Sequence, residues 1–462
     1  MGQLLLATYF ISLLTLSIGS EIVEYNLKSC DRIQYIFNFT KGLPNSLHCP
    51  YLIGKLPNTN YLLYDVNPPE GFNLRRDVYI RLAVFARHLT RRKVFRNFRL
   101  VLPPWRRLYH WKSNHVEQTS IPWEQFFDIE SMRRFAPILD FPEFLQEIAQ
   151  FGLAEAPNVP VHQVFQLLHF EDMFEQGVFD EKYKFEPDCH KEHYLPGYLL
   201  QQPILLEHKF ACVRYQGSVN LLESVLQQHI AKSISAQTAN DVKVFAILNA
   251  ETVLHDQWGS KEFWRARRSM RFAAPLIKTA EEYRARVLNS NTIEEHVQRP
   301  PMWEVERSYR EAMGGNYLAV HFRRGDFVHG RQKTTPTLMS AATQIRAQMQ
   351  LLNLTTVYVA TDATSMELTN LKAYLQRVRM RRFTPETLTQ KMLIKDGGQA
   401  IIDQMICAHA RHFIGTFEST FTYRIYEERE ILGFPKHTTF NTLCKNATLA
   451  NCEKNSEWPI VY

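Results

Sequence analysis

Neither Asp-x-Asp nor Cys-x-x-Cys occurs anywhere in this 462-residue chain. Without the second, zinc-ribbon and thioredoxin-type redox chemistry have no motif to rest on. Without the first, a diphosphate held here must be neutralised by arginine and backbone N–H groups. No repeat of fixed period and no low-complexity tract interrupts the chain, which argues against solenoid and linker architectures. After residue 18 no apolar run approaches the length that spans a bilayer, and the final W-P-I-V-Y is no K-D-E-L-type retrieval signal. Charge of neither sign dominates: 54 Lys and Arg stand against 47 Asp and Glu, a formal excess of +7. That suits a small anionic ligand and is too mild to point to nucleic acid.

What is present begins with a leader. Leu4 to Ile18 form a nearly unbroken apolar run followed by Gly19 and Ser20, so residues 1–20 are expected to be a cleaved secretory signal. Asn-x-Thr acceptors for N-glycosylation stand at Asn38, Asn353 and Asn446. Seven cysteines behind a signal read as disulfides with one thiol left over. Closeness in sequence pairs Cys30 with Cys49, Cys189 with Cys212, and Cys444 with Cys452. Cys407, inside the apolar helical A-I-I-D-Q-M-I-C-A-H-A, is expected to be free and buried.

The length favours two or three domains. In the first half, Tyr61–Val66 reads as a buried strand ended by Asn67-Pro68-Pro69. A helix is expected over about Leu74–Leu89, a strand at Arg99–Leu102 and another at Val242–Leu248. Phe263–Val287 reads as helical, and Asn289–Pro301 as a linker. The second half alternates more regularly. Strand Leu318–Phe322 precedes a helix near Leu338–Leu351, then strand Thr356–Ala360 and a helix near Leu368–Gln376. A helix at Ala400–Ala410, strand His412–Ile414 and a last helix from Thr420 complete it. Such alternation implies doubly wound parallel sheets, here two Rossmann-like halves with a cleft between them.

Open α/β sheets bind ligands beyond the carboxyl ends of their strands, and helix N-termini attract anions. Two stretches fit both statements. In Y-L-A-V-H-F-R-R-G-D-F (317–327), Arg323 and Arg324 follow one another off a strand, so one reaches the cleft while the other packs or pairs with Asp326. His321 beside them bonds a phosphate or is a satisfied core imidazole. In G-T-F-E-S-T-F (415–421), Ser419 and Thr420 open a helix as an anion site or as simple caps, and Phe421 stacks on a base or fills core. Asp403 accepts from a guanine edge or faces solvent. A third stretch, N-P-P-E-G-F-N (67–73), fixes Glu70 at a sheet's ligand edge, where a carboxylate takes a proton from an attacking hydroxyl or is only a loop residue. Basic clusters at Arg91–Arg99, Arg265–Arg271 and Arg377–Arg382 read as solvated faces rather than a nucleic-acid surface.

Longer segments resemble a known family, the protein O-fucosyltransferases, of the kind that modify thrombospondin type 1 repeats. The resemblance runs from about Tyr61 to the C-terminus. It is carried by L-L-Y-D-V-N-P-P-E-G-F-N-L-R-R-D-V-Y (62–79), V-L-P-P-W-R-R-L-Y-H-W (101–111), V-A-T-D-A (359–363), D-G-G-Q-A-I-I-D-Q (396–404) and E-E-R-E-I-L-G (427–433). Gly325, where the family has Lys, and Phe417-Glu418, where it has small residues, depart from the pattern. The stretch from about Phe141 to Gly217 matches poorly.

The resemblance implies a GT-B glycosyltransferase, α/β, with residues 21–295 as the acceptor-side domain and 296–462 as the GDP-fucose domain. It assigns catalysis to Glu70 and Arg323. Donor binding goes to Pro69, Gly71, Phe72, Asn73, His321, Phe322, Arg323, Asp403, Ser419, Thr420 and Phe421. It implies inverting transfer from GDP-β-L-fucose to a Ser or Thr of a folded thrombospondin repeat, with no metal or other cofactor. The setting is the lumen of the endoplasmic reticulum, with no nucleic acid and no membrane span after signal removal. The alternatives are transfer to EGF-like repeats, or a chaperone-like binder of folded repeats that transfers nothing.

Overall fold

The computed structural model describes residues 59–92, 97–106, 108–150, 159–171, 180–187, 195–199, 209–235, 242–253, 259–446, 452 and 456–462. The leader, Asn38 and the Cys30–Cys49 pair lie outside them, as does Cys189. The chain clusters into two units, Met1–Pro57 and Asn58–Tyr462; everything that follows concerns the second.

Its first sheet holds seven strands: β1 (Asn60–Tyr64), β2 (Phe98–Leu102), β3 (Ile138–Asp140), β4 (Val161–Leu168), β5 (Lys182–Glu186), β6 (Lys209–Gln216) and β7 (Lys243–Leu248). They lie in the order β3–β2–β1–β7–β4–β6–β5. All five residues of β1 are buried, as a strand covered on both faces requires. The chain winds outward from β1 through β2 to β3, then returns on the other side, so the order reverses between β1 and β7. The poorly matching 141–217 region supplies β4, β5 and β6, and β5 runs antiparallel to β6. The sheet is therefore mixed, where the sequence pattern implied purely parallel strands. β5 is short and only partly buried, and its K-Y-K-F-E alternation is too brief to stand out from its surroundings.

The second sheet holds β8 (Gly315–Phe322), β9 (Thr356–Thr361), β10 (Arg379–Arg381) and β11 (Ala410–Ile414), all parallel, in the order β10–β9–β8–β11. Its reversal falls between β8 and β11. Each sheet thus has one switch point, where the connections leave in opposite directions and open a crevice.

Six helices position the site: α1 (Phe72–Leu89), α2 (Lys261–Ser269), α3 (Ala274–Leu288), α4 (Ser365–Leu375), α5 (Leu388–Ala408) and α6 (Thr420–Leu432). The expected helix at 263–287 is two helices. Ser260 caps α2 through the Phe263 N–H, and Pro275 at the start of α3 suits only a first turn. The helix expected from Ala400 begins at Leu388, with a break at Lys395, whose φ is 59°. The linker candidate is packed rather than free. Arg284 on α3 bonds Ser290 (3.0 Å), Thr292 (3.0 Å) and Glu295 (2.6 Å) within it.

A buried ionic cluster, a buried hydrogen bond and a close packing contact join the elements around the two sheets. Arg267 on α2, fully buried, pairs with Glu427 (2.7 Å) and Glu428 (2.8 Å) on α6. Arg76 on α1 donates to Gln404 on α5 at 2.6 Å. Gly397 lets α5 approach the aromatic group of Trp111 and Phe126; a Cβ there would stand 2.6 Å from Phe126. Losing one partner of a buried ion pair such as Arg267–Glu427 costs about 3–5 kcal/mol.

Candidate active site

The loop leaving β1 is braced from inside. Arg75, in the first turn of α1, donates to the carbonyls of Val66 (3.2 Å), Asn67 (3.0 Å) and Glu70 (2.9 Å). Glu251, just after β7, accepts from the Asn67 N–H at 3.1 Å. Pro68 and Pro69 sit exposed in the turn closed by the Glu70 N–H on the Asn67 carbonyl, 3.0 Å. The backbone of Glu70 is therefore pinned while its carboxylate stays half-buried at the cleft. Burial pushes its pKa above the usual 4.5, opposed by the charge of Arg75. A raised, exposed-edge carboxylate is what proton abstraction near neutral pH requires.

Gly71 is the N-cap of α1, with Phe72 and Asn73 in its first turn. The Phe72 ring is turned inward, buried among Trp105, Trp111, Phe126 and Phe127. Asn73 Oδ1 accepts from Gln404 (2.7 Å) and Arg76 (3.3 Å), tying the loop to α5.

The opposite wall is stitched by hydroxyls. Thr416 Oγ1 donates to the His321 carbonyl (2.8 Å) and accepts from the Arg323 N–H (3.0 Å). Thr422 Oγ1 accepts from the Thr416 N–H (2.9 Å) and sits 2.8 Å from His321 Nδ1. The ends of β8 and β11 and the start of α6 are thereby one unit. Gly415 permits it: a Cβ there would lie 2.2 Å from Thr422 Cγ2. His321 is buried, and that burial, followed by the Arg323 charge, drives its pKa down to about 3, so the ring is neutral. It stacks on Phe421 with centroids 4.3 Å apart. Ser419 is the N-cap of α6 and makes no side-chain cap bond; Thr420 and Phe421 follow in the first turn. Phe322 points into the core beneath, with Arg324 over its ring at 5.2 Å.

Of the two arginines, Arg323 reaches the cleft and Arg324 packs, pairing with Glu367 of α4 at 2.8 Å rather than with Asp326. Arg323 pairs with Asp326 (2.6 Å) and Asp362 (2.5 Å). Two residues of the first half meet it there. Tyr109 lies 3.5 Å from Arg323 Nη2 and His110 Nε2 3.2 Å. The same His110 ring is 3.4 Å from where a Gly71 Cβ would stand, so it links the Glu70 loop to Arg323. Asp403 lies deeper along α5 and accepts from the hydroxyl of Tyr358 on β9. Burial pushes its carboxyl up to about 7, against that bond and the charge of Arg382.

The structure thus brings together Glu70, Gly71, His321, Arg323 and the start of α6, with Asp403 one layer away. Sequence reasoning gave no role to Tyr109, His110, Asp362, Thr416, Thr422 or Arg75. Tyr109, His110, Asp362 and Arg75 fall inside the matched segments, which was the available signal; Thr416 lies within the 415–421 stretch but was given no task there, and no local pattern marks Thr422. Elsewhere, Cys444 and Cys452 are bonded, Cys407 is free and buried, and Cys212 is disulfide-bonded, its expected partner lying outside the described residues. Asn353 and Asn446 are exposed.

Two α/β sheets, each with a crevice at its switch point and facing groups suited to a base and a diphosphate, define a glycosyltransferase of the GT-B type. A crystal structure of POFUT1 in complex with GDP-fucose shares the fold, with a TM-score of 0.51 at 15% identity, covering 84% of this chain and 99% of that one. A family model for GDP-fucose protein O-fucosyltransferase matches residues 61–432, and the chain belongs to that family. It is 51% identical over 423 residues to GDP-fucose protein O-fucosyltransferase 2 of Drosophila melanogaster, covering 91% of this chain and 86% of the relative. To the Homo sapiens protein of the same name it is 39% identical over 428 residues, covering 91% and 94%.

Proposed function

We propose that the chain transfers fucose from GDP-β-L-fucose to a Ser or Thr hydroxyl of folded thrombospondin type 1 repeats, with inversion and without a metal. The observation that carries this reading is the apposition of the braced, raised-pKa Glu70 to the Arg323 wall through His110. In a single displacement the acceptor oxygen forms a bond to the anomeric carbon as the bond to GDP breaks. Glu70 takes the hydroxyl proton, directly or through a water, and the leaving diphosphate is stabilised by Arg323 and the first N–H groups of α6. One displacement inverts the anomeric centre.

In this reading the 296–462 half binds the donor and the 21–295 half presents the acceptor. Pro69, Gly71, Phe72 and Asn73 offer backbone and amide groups, His321 and Ser419–Phe421 hold phosphate and base, and Asp403 meets the guanine edge. Metal independence is supported by the lack of Asp-x-Asp beside an arginine already placed at a strand end. The leader and the disulfides support work in the lumen of the endoplasmic reticulum. Among the described residues no helix is long and apolar enough to cross a membrane. The thrombospondin acceptor rests on the long segments around Glu70 that carry the resemblance described above.

The test is fucose transfer from GDP-fucose to a folded thrombospondin repeat, with EGF-like and reduced repeats as controls and EDTA present. Transfer only to the folded thrombospondin repeat, unchanged by EDTA, is expected. Transfer to the EGF-like repeat instead, or binding of the repeat with no transfer at all, overturns the reading.

A further inference from the structure

The donor reading leaves one well-placed group without a task. His110 comes from the loop after β2, in the first half of the chain, yet its ring nitrogens lie 3.2 and 3.3 Å from Arg323 Nη2 in the second half. On its other side the ring abuts Gly71, the residue after Glu70. Its neighbour Tyr109, with ring centroids 3.5 Å apart, donates to Asp326 Oδ2 at 3.0 Å, and Asp326 is itself an Arg323 partner. The pair therefore grips the Arg323–Asp326 unit across the cleft.

We propose that His110 is a positioning residue for transfer: it accepts a hydrogen bond from Arg323 and sets where that guanidinium meets the donor diphosphate. The proposal rests on the GDP-fucose reading above. A guanidinium only donates, so the imidazole nitrogen facing it must carry a lone pair, and the ring must be neutral. Desolvation, then the Arg323 charge, lower its pKa to about 4. The charged and titratable groups around it are Arg323, Asp326, Tyr109 and Lys112. Asp326 and Asp362 also hold Arg323, and an incoming diphosphate competes with both for the same N–H groups. His110 is the neutral partner, so it can keep its bond to the guanidinium while phosphate oxygens replace a carboxylate. The arrangement also couples the two halves, because the orientation of the phosphate arginine depends on a loop anchored beside the base.

The test compares His110→Phe, which keeps a ring and removes the acceptor, with His110→Asn, which keeps an acceptor at the Nδ1 position. GDP binding by titration calorimetry, the KM for GDP-fucose and thermal midpoints are measured on the full chain. His110→Phe is expected to weaken GDP binding and raise KM about tenfold, the worth of one hydrogen bond to a charged group. Its thermal midpoint is expected to be unmoved, and His110→Asn to recover most of the affinity. Wild-type binding by His110→Phe, or equal impairment of both variants, assigns His110 a packing role and overturns the proposal. If the wild type binds GDP but fucosylates no repeat, the acceptor reading falls while the titrations still decide the role of His110. A wild type that does not bind GDP overturns the donor reading and this role together.

Discussion

The two walls of the cleft hold their groups by different means. On the first-sheet side the fold braces the loop that carries Glu70: Arg75 donates to the carbonyls of Val66, Asn67, Pro68 and Glu70 and Glu251 accepts an N–H, while among the described residues the Glu70 side chain makes no hydrogen bond. On the second-sheet side many groups act at once, and the fold stitches strand ends together through Thr416 and Thr422. In the reading proposed above, the first arrangement leaves a base free to exchange protons. The second fixes an array of donors in advance, which is how charge developing on a leaving group is met without reorganisation. A base tolerates a half-exposed loop because its task is local. A diphosphate site does not, because several donors must be right together.

That contrast makes the walls separable by mutation. The largest effect is expected from Glu70→Ala: transfer falls by about a thousandfold, within the usual range for a lost general base, while GDP affinity measured by calorimetry is unchanged. Equal loss of both would mean that the two walls are not independent. Next is Gly415→Ala, where the added methyl meets Thr422 Cγ2 at 2.2 Å. It should destabilise the chain by about 1–3 kcal/mol, as overpacking does, and weaken GDP binding, read by thermal melts and titration. A variant with unaltered GDP affinity would show that the stitching is not what shapes the donor wall. The smallest effect is a pH profile. Burial raises the Glu70 pKa above 4.5, and the base works only when ionised, so kcat/KM should fall as pH drops through a limb above 4.5. His321 and His110, held near 3 and 4, should add no limb around 6.5. An acid limb at or below 4.5 would remove Glu70 as the titrating base.

Much of this architecture was legible beforehand, and for stated reasons. Strands β1, β8, β9 and β11 are short apolar runs, cut off by Asn-Pro-Pro, Arg, Asp and Gly respectively, so their ends were placed within a few residues. Glu70, Arg323 and Ser419 sit at those ends, which is where a parallel sheet puts its ligand groups. β5 escaped notice because K-Y-K-F-E, though alternating, is a five-residue edge strand with only two apolar residues, both partly buried. The long α5 escaped because exposed Leu388, Met392 and Leu393 lie before the break at Lys395, blurring its period. The division of labour between Arg323 and Arg324 was visible only as a choice of faces. Which face meets the cleft depended on Glu367, in α4, capturing Arg324.

By itself, then, the amino-acid order determined the local grammar: two sets of alternating strands and helices, the strand ends at which Glu70 and Arg323 stand, and a free thiol in an apolar helix. Those follow from periodicity and from what Pro, Gly and Arg do at a chain's next few bonds. Tertiary structure alone decided partnership. His110 meets Arg323 across 213 residues, and Arg76 meets Gln404 across 328, because sheet register and buried ion pairs set the distance between the two walls. No local propensity encodes a distance between surfaces that only packing brings together.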